Sequence, residues 1–183
     1  MRYPLKKELI LSSEQSYLAN YNSHSILCLP PHLGSFGKVR KNHIHEGIDL
    51  YCENNDEVSA MEDGIILDIL PFTGIHANSP WWHNTFCVLI KHSACVLNYG
   101  EIIPLSSLKI GDKVKEGELL GHVTTVLKKD KGLPMSMLHL EQYSLDTTQP
   151  IKEWSLNTAQ PLNLQDPTQL LLSIYFCKNK KTQ

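Results

Sequence analysis

A mainly β domain is predicted by three observations. Runs rich in Val, Ile, Leu and Phe are short from Leu27 onward. Gly and Pro punctuate them often. The clearest run, Met137-Leu138-His139-Leu140-Glu141-Gln142-Tyr143, places apolar residues on one face at a period of two. The chain has 183 residues, enough for one domain with a substantial core. Its 42% hydrophobic and 20% charged residues fit a globular protein.

Taken in order, residues 1–29 are expected to form an N-terminal arm or short helix, with Leu9, Ile10, Leu11 and Leu18 at helix-compatible positions. Residues 30–172 form the β-sheet domain, and 173–183 a C-terminal tail. Within the domain, Glu57 to Ala60 and Gly64 to Leu70 read as strands joined at Glu62-Asp63-Gly64, since Asp-Gly is a strong tight-turn signal. Phe86 to His92, Ala94 to Glu101 and Met137 to Tyr143 are further strands. Glycines recurring between Leu108 and Gly121 mark sharp sheet corners. The loop from Pro71 to Asn84 carries Trp81 and Trp82, for which packing on a sheet edge competes with lining a groove. Asp166-Pro167 is a helix-start signal for Thr168 to Phe176.

The net charge of −2 gives no footprint for nucleic acid. No segment is apolar enough to insert in a membrane. Five scattered cysteines with no C-x-x-C pair argue against a disulfide framework or a cysteine-held zinc. Free thiols in a reducing compartment are the simpler reading. No signal peptide is visible, which leaves a cytoplasmic chain or export by a signal-less route. Nothing in the sequence specifies an oligomeric state.

The chemistry centres on His45-Glu46-Gly47-Ile48-Asp49. On a strand, His45 and Asp49 point to one side, with Gly47 between them leaving room for an ion, while Ile48 and Leu50 face the core. Imidazole and carboxylate suit zinc, which in catalytic sites takes three protein ligands and a water. Alone, an H-x-x-x-D pair more often describes surface residues or a His–Asp hydrogen bond than a metal site. His139 supplies a third candidate ligand, flanked by core-facing Leu138 and Leu140. Glu141, two residues on, is placed to orient it or to stand exposed on the sheet.

These segments together resemble peptidase family M23, the lysostaphin/LytM-type zinc metallopeptidases. Phe36-Gly37-Lys38-Val39-Arg40 followed by His45-Glu46-Gly47-Ile48-Asp49 is similar to that family's opening motif. Val58 to Ile66, Val88 to His92, Leu108 to Gly121, Leu138 to Glu141 and Asp166-Pro167 with Leu170-Leu171 follow in the family's order, over about residues 30–172. The resemblance implies a two-layer antiparallel β-sheet core of the duplicated-hybrid-motif type, with a short N-terminal arm and a small C-terminal helix. It also implies one Zn2+ held by His45, Asp49 and His139, and a peptide or peptidoglycan-like ligand.

Two positions depart from the family. The first histidine of its H-x-H is Met137 here, and the histidine of its Y-x-H-L is Glu101 in Tyr99-Gly100-Glu101-Ile102. A thioether cannot donate a proton or a hydrogen bond. Glu101 is the candidate catalytic base, or a further metal ligand. Tyr99, Met137 and His43 are candidate substrate-binding residues of the groove. Two functions follow: a metallopeptidase of low or no turnover, or an impaired relative that binds peptide, glycan or protein. A lipoyl-carrier reading of the glycine-rich corners lacks the exposed lysine tip it needs.

Overall fold

A computed structural model describes residues 1–13, 24–130 and 134–179. Among them are thirteen strands: β1 (Glu8–Ser12), β2 (His24–Cys28), β3 (His43–Ile44), β4 (Ile48–Tyr51), β5 (Glu57–Ser59), β6 (Gly64–Thr73), β7 (Thr85–Lys91), β8 (Val96–Pro104), β9 (Lys113–Val114), β10 (Leu119–Val123), β11 (Met137–Tyr143), β12 (Trp154–Ser155) and β13 (Leu164–Gln165). One helix follows, α1 (Thr168–Asn179). The main sheet runs β1-β2-β4-β11-β8-β7-β6-β9; β10 links β8 to β5, and β13 lies on β11. β3 and β12 pair separately. β1 and β2 pair in parallel, and β4, β11, β8, β7 and β6 are successively antiparallel.

Alternation along the central strands divides the sheet into two faces. Leu27, Ile48, Leu50, Leu138, Leu140, Leu97, Tyr99, Val88 and Ile90 face a core closed on its far side by Val58, Ala60, Met61, Val114, Leu120 and Val123. The mainly β reading therefore holds, with β10 and β5 branching from β8 off the main path. Asp49 and Tyr51 on β4, and Met137, His139, Glu141 and Tyr143 on β11, alternate with those core residues and share the opposite face. Helix α1 starts where Asp166 accepts the Thr168 N–H at 2.8 Å, and it buries Leu171 in the core.

Three elements differ from the sequence reading. The Asp63-Gly64 turn does not close a hairpin: β5 pairs with β10, and β6 with β7 and β9. The chain leaves the β5–β10 pair there and enters β6, between β7 and β9. In the expected arm, β1 and β2 are strands of the main sheet, and residues 14–23 lie outside the described ones. Helix α1 continues through the expected tail to Asn179. Of the loop tryptophans, Trp82 is half-buried and bridges to Leu127, whereas Trp81 is 63% exposed. Cys28, Cys52, Cys87, Cys95 and Cys177 are free thiols. Among the described residues no helix is long and apolar enough to cross a membrane.

Candidate metal centre

Three ligand-type side chains meet on the face opposite the core. The β4–β11 register sets Asp49 directly across from His139. His45 arrives from the segment between β3 and β4. A turn over residues 37–45 holds it, with Gly37 N–H donating to the His45 carbonyl, His45 N–H to Lys38, and Arg40 N–H to His43. His45 Nε2 lies 3.1 Å from His139 Nδ1 and 3.1 Å from Asp49 Oδ1, and His139 Nδ1 lies 3.0 Å from the same oxygen. All three residues are buried. Gly47 serves this meeting differently from expectation. A Cβ there would stand 2.5 Å from the Leu140 carbonyl oxygen and 2.7 Å from His139 Nε2, so its bareness admits the His139 ring.

Hydrogen bonding fixes which atoms are bare. His45 Nδ1 lies 2.9 Å from the Ser35 carbonyl oxygen, which only accepts, so the proton sits on Nδ1 and Nε2 is free. His139 Nε2 lies 3.1 Å from Glu141 Oε1, while Asn98 and Tyr143 each donate to Glu141 Oε2 at 2.7 Å. Burial opposes ionisation of Glu141, but those hydrogen bonds outweigh it and hold the carboxyl below its ordinary range. His139 thus donates from Nε2 and turns a bare Nδ1 inward. Two nitrogen lone pairs and a carboxylate oxygen converge within about 3 Å, a mutually repulsive set unless a cation stands among them. Ligands at 2.0–2.1 Å in tetrahedral array would be about 3.3 Å apart, close to what is found. Without such an ion the same field falls on a proton. Burial disfavours a charged His139, yet bonds to Asp49 and Glu141 raise its pKa well above the ordinary value.

Asp49 is held on its other side by Arg40, whose Nη2 donates to Oδ2 at 2.8 Å and to the Leu33 carbonyl at 3.0 Å. Burial alone would raise the Asp49 carboxyl; His45, Arg40 and the histidine hydrogen bonds win and hold it well below the ordinary range.

No protein-family model matches the chain, and no curated protein matches its sequence. Solved structures do. The catalytic domain of the antimicrobial peptidase lysostaphin from Staphylococcus simulans aligns with a TM-score of 0.51 at 16% identity, over 88% of this chain and 99% of that one. LytU aligns with a TM-score of 0.54 at 16% identity, over 86% of this chain and 92% of that one. This is the M23-type fold. The expected architecture is thereby shown, and two of the candidate triad, Asp49 and His139, stand on neighbouring strands of its central sheet, with His45 just before β4.

The remaining candidates distribute unevenly around this M23-type core. Glu101 falls in a β-bulge. Val88 pairs with Tyr99 and Phe86 with Ile102, so Gly100 and Glu101 together oppose Cys87. Tyr99 and Ile102 both stay in the core, and the extra residue turns Glu101 out of it with φ at +64°. A non-glycine residue in that conformation is costly and clusters at functional sites. Glu101 is 9% exposed, and its Oε2 is a buried oxygen with no hydrogen-bond partner. Burial, then the charge of Asp49, pushes its carboxyl up to about 8. It stands outside the three-ligand cluster.

Tyr99 does not line a groove. It is fully buried on the core side, its hydroxyl bonded to the Met61 N–H and to His92 Nε2. Strand alternation pairs it with Leu97, and family spacing had obscured that. Met137 is 7% exposed and packs with Ile26, Cys28 and Tyr51. His43 is half-buried on β3, across from Ser155, apart from the triad. Three residues at the site went unassigned in the sequence reading. Arg40 holds Asp49, Asn98 holds Glu141, and Phe72 lies on His139 with centroids 5.2 Å apart. Gly100 admits that Phe72 ring, since a Cβ would meet it at 2.8 Å.

Proposed function

We propose that this chain is a single-zinc metallopeptidase acting on peptide bonds of peptidoglycan type, with Glu101 in place of a catalytic imidazole. The reading rests on one observation: bare His45 Nε2, bare His139 Nδ1 and Asp49 Oδ1 converge with their other atoms already satisfied. That donor set suits zinc by ligand type and spacing. A zinc ion in such a site supplies Lewis acidity and a water acidic enough to react at neutral pH. Glu101 is the group that takes the proton from water as it adds to the scissile carbonyl and returns it to the leaving amine. Its partnerless oxygen supports that role, and a bound cation would lower its raised carboxyl so that it could accept the proton. Glu141 and Ser35 fix the two imidazole tautomers, and Arg40 keeps Asp49 ionised.

The test combines metal analysis with hydrolysis of glycine-rich and peptidoglycan-derived peptides. One zinc per chain and cleavage lost in both His139→Ala and Glu101→Gln are expected. Protein that takes up no zinc, or cleavage indifferent to Glu101→Gln, overturns the reading.

Met137 favours a second reading. It offers no donor where the resembled family has a histidine, and losing one such donor costs roughly 10²–10³ in turnover. A zinc-loaded protein that retains these peptides without cutting them would be a binding module.

A further inference from the structure

We propose that Tyr51 is a catalytic residue of this site, its phenol donating a hydrogen bond to the carbonyl oxygen that gains negative charge during hydrolysis. The inference rests on the hydrolase reading above and names the donor that reading lacks.

The placement follows from register. Asp49 faces His139 across the β4–β11 ladder, and Tyr51 faces Met137 in the same ladder. Residues two apart on a strand share a face, so the four form a square with the ligands on one edge and Tyr51 and Met137 on the opposite one. Met137 brings no hydrogen-bond donor to that edge, whereas Tyr51 brings one.

The phenol is also poised. Tyr51 is 4% exposed, and its ring packs with Ile26, Cys28 and Met137 and meets the His32 ring edge-on at 5.5 Å. Those contacts restrict the ring without occupying the oxygen. Among the described residues the hydroxyl makes no hydrogen bond within the protein, and its oxygen is not enclosed, so it stays open to solvent or to a ligand. The electrostatic neighbours of the phenol are Asp49, Cys28, Arg40 and Glu101. Glu101 Oε2, by contrast, is an enclosed oxygen with no hydrogen-bond partner. Thus a solvent-open donor and an enclosed, partnerless carboxyl oxygen lie in the field of the same carboxylate ligand. An acceptor that also carries a transferable proton, such as a hydrated peptide carbonyl, would satisfy both.

Tyr51→Phe removes the oxygen and keeps the ring against His32. With zinc-loaded protein, kcat on a glycine-rich peptide is expected to fall roughly 10²-fold, with KM and zinc content unchanged. Binding of a phosphinic peptide, whose tetrahedral oxygens mimic the charged state, is expected to weaken by a similar factor in calorimetry. If the wild type cleaves and Tyr51→Phe changes neither kcat nor phosphinate affinity by more than about twofold, Tyr51 is no donor and the hydrolase reading stands. If the wild type does not cleave but phosphinate affinity depends on the hydroxyl, the donor stands and the hydrolase reading falls. If neither cleavage nor phosphinate binding is found, both fall.

Discussion

Arg40 grips one oxygen of Asp49 at 2.8 Å and leaves the other to two imidazoles. The carboxylate is thereby divided between a permanent cation and the open side of the site. Arg40→Ala strands a buried carboxylate, with a cost on the order of 2 kcal/mol in urea denaturation. Zinc affinity is expected to fall roughly 10–100-fold in chelator competition. Arg40→Lys does not restore it, since an ammonium lacks the fork that spans Asp49 and the Leu33 carbonyl.

Glu141 is expected to matter nearly as much as a ligand. It anchors the Nε2 proton of His139 and is itself held by Asn98 and Tyr143. Glu141→Gln weakens the pull on that proton and lowers zinc affinity roughly 10–100-fold, with the fold intact by circular dichroism.

Gly47→Ala places a methyl group 2.5 Å from the Leu140 oxygen and 2.7 Å from His139 Nε2. Backbone on one side and a hydrogen-bonded ring on the other leave little room to yield. The expected loss is about 1–3 kcal/mol of stability, together with weakened zinc uptake. A stable variant with wild-type zinc affinity would contradict the packing described for His139.

Metal-stripped protein should lose stability as pH rises, in part through Glu101. Its folded carboxyl lies at about 8, raised by burial and by Asp49, against an ordinary 4.5. A raised value means that the folded state keeps a proton the unfolded chain releases. The contribution is whole below about 4.5 and disappears as pH climbs through about 8. Urea titrations across that window, compared with Glu101→Gln, isolate it: the variant's stability should depend less steeply on pH.

Much of this was legible in the sequence because β periodicity is local. The run Met137 to Tyr143 is strand β11 residue for residue, and its alternation placed His139 and Glu141 on one face. Glu101 was singled out by family spacing, but its posture depends on a bulge that breaks the period of two between Tyr99 and Ile102. Tyr99 was offered as a groove residue on family spacing alone, whereas its alternation with Leu97 places it in the core. Partners distant along the chain left no local trace. The pairing of β5 with β10 gives the Asp63-Gly64 turn nothing to announce. The roles of Arg40 and Asn98 depend on side chains reaching across a turn and a ladder, which composition does not encode.

His45 and His139 stand 94 residues apart in the chain, yet their nitrogens are 3.1 Å apart in space. No fragment ending before β11 carries both. High-affinity capture of a transition ion would therefore report that the last central strand has docked. A product truncated before β11, or with that strand out of register, would forgo both such an ion and any stability gained by binding it.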